Sequence, residues 1–151
     1  MNLILSFDGA CEPNPGGVAT YGWVIEELRA GKPFLLEDGN GMAKVQNATN
    51  NVAEYHGLGH GLKAVARLHP SSLEIRGDSQ LVLNQLTGAW QCNAEHLVKL
   101  RDRCREILKE IGCQWTTTWV GRDGNTEADS LSVKAYEKAT GKPFPHRRRR
   151  K

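Results

Sequence analysis

From Leu3 to Asp8 apolar and polar residues alternate, with Leu3, Leu5 and Phe7 on one side and Ile4, Ser6 and Asp8 on the other. This period of two predicts a strand ending at Asp8. Pro13 to Gly17 is a turn, because proline fixes φ and glycine reaches positive φ. Tyr21–Leu28 and Phe34–Met42 read as two further strands joined through Arg29–Pro33, so the first third of the chain predicts an antiparallel meander.

The period then lengthens. Val52, Tyr55, Leu58, Leu62, Val65 and Ala66 share one broad face at about 100° per residue. A helix is therefore predicted from Asn50 or Asn51, either of which can cap it, to about Leu68. Gly57, Gly59 and Gly61 lie inside it and cost about 1 kcal/mol each relative to alanine. They are expected to allow a close approach to a sheet or a second helix; the alternative is glycines that are merely tolerated.

Leu73–Arg76 reads as a short strand, and Gly77-Asp78-Ser79 opens a helix carrying Leu81, Val82 and Leu86. A longer helix, Ala94 to Ile111, has Leu97, Leu100, Cys104, Ile107, Leu108 and Ile111 at helical spacing. Gln114–Val120 is the last strand. Asn125 or Thr126 caps a final helix through Ala139, with Thr126-x-x-Asp129 resembling a capping box that has Asp in place of Glu. Trp23, Trp115 and Trp119 alternate with polar neighbours and are expected in the core, whereas Trp90, after Gly88-Ala89, suits either packing or stacking on a sugar or base. Beyond Gly141 proline and arginine dominate and no core-facing period remains. Residues 1–140 thus read as one domain and 141–151 as a mobile basic tail.

Charge sharpens that division. The 151 residues carry 20 Lys+Arg against 17 Asp+Glu, a net charge of +3. Five of the positives are Arg147, Arg148, Arg149, Arg150 and Lys151; without them 15 face 17, and the body is mildly acidic. Such a run attracts phosphates, so the tail is a candidate nucleic-acid contact. The apolar residues before Asp8 are too few for a signal peptide, and no apolar run approaches the roughly 20 residues that span a membrane. Cys11, Cys92, Cys104 and Cys113 are widely spaced, without a C-x-x-C pair, so neither a structural zinc site nor disulfides are required. The expectation is a cytoplasmic, monomeric protein with no membrane partner. His56 and His60, four apart, face away from Glu54 and lack an H-E-x-x-H setting, so they are not read as a metal pair.

Four acids carry the candidate chemistry. Asp8 ends the first strand, Asp78 follows the fourth, Asp129 lies in the first turn of the last helix, and Glu54 lies in the first turn of the helix after the meander. On a helical wheel Glu54 falls about 20° from Val65 and 40° from Leu58, so it faces inward. An inward carboxylate is costly unless paired, hydrogen-bonded or bound to a metal. Any one of these acids alone reads as a turn former or cap.

Their local sequences add to this: Asp8-Gly9-Ala10-Cys11-x-x-Asn14-Pro15-Gly16, Thr49-Asn50-Asn51-x-x-Glu54, Asp78-Ser79-Gln80 and Asn125-x-x-Ala128-Asp129. These blocks, in this order and on these elements, resemble type 1 ribonucleases H over residues 3 to about 139. The resemblance implies an α/β fold: a five-stranded mixed sheet, first three strands antiparallel, helices on both faces. It implies that Asp8, Glu54, Asp78 and Asp129 gather at one end of the sheet and hold two Mg²⁺ ions, with Mn²⁺ as an alternative, and that they hydrolyse the RNA strand of an RNA–DNA hybrid. Oxygen-only ligands suit such hard ions. It also implies substrate contacts at Gly9, Cys11, Asn14, Asn51 and Gln80 on the RNA side and at Thr49 and Asn50 toward the DNA, with Arg122 and Asn125 as further substrate-binding residues.

Two departures from the family stand out. Residues 88–99 hold one Lys, so the basic handle of well-known bacterial members is absent, as in some archaeal and bacterial relatives. The loop Gly121–Asn125 has no His, and Arg122 is the candidate phosphate contact there. The missing handle leaves room for activity on double-stranded RNA. The other competing readings are a non-catalytic hybrid-binding module and a small-molecule hydrolase; for the latter, no nucleophile or phosphate loop is present.

Overall fold

A computed structural model describes residues 1–145, so the expectations for Arg147–Lys151 lie outside the described residues. The alternating N-terminal third forms β1 (Asn2–Glu12), β2 (Val18–Arg29) and β3 (Lys32–Ala43), paired antiparallel in sequence order. β4 (Ser72–Gly77) joins the free edge of β1 in parallel, and β5 (Gln114–Trp119) joins β4 in parallel. The result is the expected five-stranded mixed sheet, ordered β3-β2-β1-β4-β5.

Four helices cover it: α1 (Asn50–Leu68), α2 (Gln80–Thr87), α3 (Glu95–Ile111) and α4 (Thr126–Thr140). Leu5, Phe7 and Trp23 pack with Tyr55, Leu58 and Leu62 of α1, Leu86 of α2 and Ile107 of α3 in one continuous core. Gly22, next to Trp23, faces the other way: a Cβ there would lie 2.5 Å from the Ala128 carbonyl oxygen of α4. Because neighbouring strand residues point to opposite faces, α4 lies across the sheet from α1. No helix among the described residues is long and apolar enough to cross a membrane.

Several expectations need correction. β1 does not stop at Asp8: Gly9 to Glu12 continue to pair with Val18 to Tyr21, so Asp8 sits inside the strand. Neither Asn50 nor Asn51 caps α1; Thr49 does, its Oγ1 accepting from Val52 N at 3.2 Å. The final helix lacks the suggested capping box, since Thr126 is already helical and the side chain of Asn125, at the N-cap, makes no cap bond. Trp23 is in the core, but Trp115 is only partly buried and Trp119 is 54% exposed. β5 is the outer strand of the sheet, so alternation there separates a half-covered side from open solvent. Trp90 is exposed.

The three glycines of α1 have different causes. A Cβ at Gly57 would stand 2.7 Å from the Asp8 carbonyl oxygen, and one at Gly61 would stand 2.6 Å from Leu5 Cδ1, so both permit the helix to rest directly on the strands. At Gly59 the nearest atom is Cys104 Sγ at 3.8 Å, an ordinary contact, so this glycine is merely tolerated. His56 and His60 lie on the same helix as a stack: His60 is 4.6 Å from Tyr21 between ring centroids, and His56 is 6.1 Å from His60. Burial, with Lys63 adding to it, pushes both imidazoles below the usual histidine value.

Two outcomes follow for stability. Gly57→Ala should destabilise by about 1–3 kcal/mol through overpacking against β1, while Gly59→Ala should stabilise by up to about 1 kcal/mol; urea unfolding of both variants checks the contrast. For the histidines the folded state resists protons that the unfolded chain accepts, so their contribution to stability should fall as pH drops below about 6.5, against the opposite trend of any group held above its usual value. The difference in denaturation midpoint between the parent and His60→Gln, followed from neutral pH into the mid-acid range, isolates it: the parent should lose ground relative to the variant.

Candidate active site

The site forms where the parallel half of the sheet ends. β4 pairs with β1 only as far as Ser6 opposite Arg76, whereas β2 holds β1 to Glu12. Asp8 therefore emerges just past the β4 pairing on a backbone still fixed by Gly22, in the crevice beyond the carboxyl ends of parallel strands where α/β sheets place ligands. Asp78 leaves the end of β4 immediately before the cap of α2, where Ser79 Oγ accepts from Val82 N at 3.2 Å. Its carbonyl accepts from Trp119 Nε1 at 3.2 Å, which ties the end of β5 to the same turn.

Glu54 enters from α1, inward as the wheel requires, and is 9% exposed. Asp129 enters from the first turns of α4. That helix is anchored by Asn125, whose Nδ2 donates to the Phe7 carbonyl at 2.8 Å, one residue before Asp8. Oxygens of Asp8, Glu54 and Asp78 lie within 4.8 Å of one another. Asp129 completes the group through a side-chain hydrogen bond to Asp8.

All four acids line one cavity of about 430 Å³, together with Gly9, Cys11, Asn14, Asn50 and Arg122. The turn after β1 is stitched to the start of α1: Asn50 Oδ1 accepts from Cys11 N at 2.7 Å, and Asn14 Oδ1 accepts from Asn50 N at 3.1 Å. Arg122 reaches the cavity from the 3-10 turn Arg122–Gly124. Thr49, Asn51, Gln80 and Asn125 are not on the cavity lining. Thr49 caps α1, Gln80 is exposed at the start of α2, Asn51 is half-buried, and Asn125 is 2% exposed with its amide on Phe7.

Four lining residues were not singled out from the sequence: Ala10, Glu12, Ser79 and Phe144. Ser79 carried a legible signal, as a serine opening a helix. Phe144 carried none, because it follows the last periodic segment and reaches the cavity only through the path of the chain after α4.

The charges in this pocket oppose one another. Burial, then the charges of Asp78 and Asp129 and the bond to Asp129, hold the Asp8 carboxyl well above the usual carboxylate range. Glu54 is raised likewise, by burial first and then by Asp8 and Asp78. Glu54 Oε1 is buried without a hydrogen-bond partner among the described residues. An oxygen-only donor set with an orphaned carboxylate oxygen fits a hard divalent cation, which would relieve both the repulsion and the missing partner.

The comparisons agree with this geometry. Residues 6–135 match the family described as "Reverse transcriptase-like". Among curated proteins, ribonuclease HI of Halobacterium salinarum is 42% identical over 133 residues, covering 88% of this chain and 63% of that protein. The bifunctional protein Rv2228c of Mycobacterium tuberculosis is 32% identical over 139 residues, covering 92% of this chain but 36% of that protein. The chain thus spans less than two thirds of these relatives. Among solved structures, RNase H1 from H. salinarum superposes with a TM-score of 0.81 at 39% identity, covering 91% of this chain and 99% of that one. The N-terminal RNase H domain of Rv2228c gives 0.83 at 31% identity, covering 93% and 96%. LC11-RNase H1 in complex with an RNA/DNA hybrid gives 0.80 at 25% identity, covering 91% and 98%. With the family matched across most of its length and the four acids converging at the end of the same sheet, the chain belongs to the ribonuclease H family, in its type 1 branch.

Proposed function

We propose that this protein is an endonuclease that hydrolyses the RNA strand of RNA–DNA hybrids, leaving 5′-phosphate and 3′-hydroxyl ends. The observation that carries the reading is the convergence of Asp8, Glu54 and Asp78 within 4.8 Å, with Asp129 bonded to Asp8, in an open cavity. A relative of the same fold is known in complex with an RNA/DNA hybrid, which supports the choice of substrate.

Asp8, Glu54, Asp78 and Asp129 would hold two divalent cations, Mg²⁺ or Mn²⁺. The chemistry they would supply there is activation of a water and stabilisation of the leaving 3′-oxygen in an in-line displacement. The chain's own residues do the rest. Burial of Asp8 and Glu54 excludes competing solvent from the carboxylates and sets their direction. Asn14 and Asn50 fix the turn that brings Gly9 and Cys11 to the cavity wall, where their backbone would meet a ribose 2′-hydroxyl, the group that distinguishes RNA from DNA. Arg122, exposed at the rim, supplies a planar cation for a phosphate. Asn125 acts by positioning: it sets α4, and with it Asp129, against β1. Arg147–Lys151, outside the described residues, add long-range attraction for the hybrid's phosphates.

Asp8→Asn should lower Mg²⁺-dependent cleavage of a labelled hybrid by about 10³-fold or more while hybrid binding persists. Substantial cleavage by that variant would rule out the assigned site. Asn125→Ala should lower kcat by about 10- to 100-fold with KM little changed, since a displaced helix misplaces Asp129. A raised KM with normal kcat would instead make Asn125 a direct substrate contact.

A further inference from the structure

The chain returns to the acidic cavity after α4 ends. Gly141 closes the helix with a φ of 69°, and Lys142 N donates to Thr140 Oγ1 at 3.2 Å. Phe144 N then donates to Glu137 Oε2 at 3.1 Å, and the Phe144 ring meets Tyr136 edge-on at 4.9 Å between centroids. These contacts seat a half-buried Phe144 on the lining of the cavity that holds the four carboxylates.

The core does not explain this seat, because Phe144 belongs to neither buried apolar cluster of the fold. Its neighbours on the lining are mainly acids, amides, Ser79 and Arg122, and among the described residues it is the one aromatic there. A nucleotide presents three kinds of surface: a charged phosphate, polar hydroxyls and the apolar C–H face of its sugar. Arg122 suits the first, and the backbone at Gly9 and Cys11 suits the second. Phe144 offers the broad apolar surface that suits the third. In a duplex the bases are stacked on one another, so the sugar edge is what a neighbouring ring meets. A ring already held by a backbone bond and a ring contact loses little freedom when that surface arrives.

We propose that Phe144 is a substrate-contacting residue, an apolar wall that packs against the ribose of the RNA strand beside the scissile phosphate. The inference rests on reading the cavity as the site of RNA cleavage, since the ring shares its lining with the carboxylates that would act on that strand. Glu137 is then a positioning residue, because its carboxylate accepts the Phe144 N–H. Packing of this kind holds the substrate alike before and during the displacement, so it governs binding more than turnover.

Two measurements on the full chain test this. In the first, cleavage kinetics of a labelled hybrid are compared for the parent, Phe144→Ala and Phe144→Tyr, each shown to be folded by thermal unfolding. Phe144→Ala should raise KM about fivefold or more, with kcat moving less. Phe144→Tyr keeps the ring and should stay within about twofold of the parent. An unchanged KM in Phe144→Ala overturns the proposal, whatever happens to Tm, because packing on Tyr136 alone would give that result. A lowered KM also overturns it, since the ring would then be a cover over the site.

In the second, the photoreactive p-benzoylphenylalanine replaces Phe144 in a chain that also carries Asp8→Asn, so that the bound hybrid stays intact under irradiation. The protein should become joined to the RNA strand. Capture of the DNA strand alone, or of neither strand while anisotropy shows the hybrid bound, overturns the contact. A parent that leaves the hybrid uncut in Mg²⁺ would strike at the nuclease reading itself and take this inference with it. Normal cleavage by the parent with the same KM in Phe144→Ala would remove the role of Phe144 alone.

Discussion

The mutual repulsion of buried carboxylates is the constraint around which this molecule is organised. Asp8 and Glu54 are nearly out of water, with Asp78 and Asp129 beside them, and both are held above the usual carboxylate range by burial and by each other. Such a group relaxes apart unless the elements beneath it are rigid. Asp8 is carried within a strand paired on one side with β2 and, up to Ser6, on the other with β4. Glu54 comes from a helix that two glycines allow to rest directly on the strands. Asp129 comes from a helix pinned to β1 through Asn125. The fold supplies the energy that keeps like charges together, in an oxygen-only group of the kind that suits a hard cation.

The same constraint bears on polar side chains that line the cavity and tie the fold together at once. Asn50 and Asn14 line the cavity while their side-chain oxygens accept backbone N–H groups across the join between β1 and α1. Trp119, on the exposed outer strand, donates to the carbonyl of Asp78 and so couples the strand edge to the acid. Neither role concerns the hydrophobic core, and both bear on how precisely the acids are aimed. Residues 88–99 hold one Lys, and Arg122 stands on the lining of the cavity. The chain's positive charge is instead concentrated in the segment that follows the seat of Phe144.

Local periodicity was enough to read the elements of this protein. Alternation found the meander, the 3.6-residue period found the helices, and the wheel turned Glu54 inward, because each depends only on side chains a few residues apart. The motif blocks identified the four acids for the same reason. What tertiary structure alone decided was everything fixed by long-range contact. It chose Thr49 over its neighbours as the cap of α1, turned the side chain of Asn125, at the N-cap of α4, onto Phe7, and left Trp119 on an outer edge. It also separated Gly57 and Gly61 from Gly59 and brought Phe144 to the cavity. These outcomes depend on which surfaces meet, and partners far apart along the chain leave no mark on local spacing.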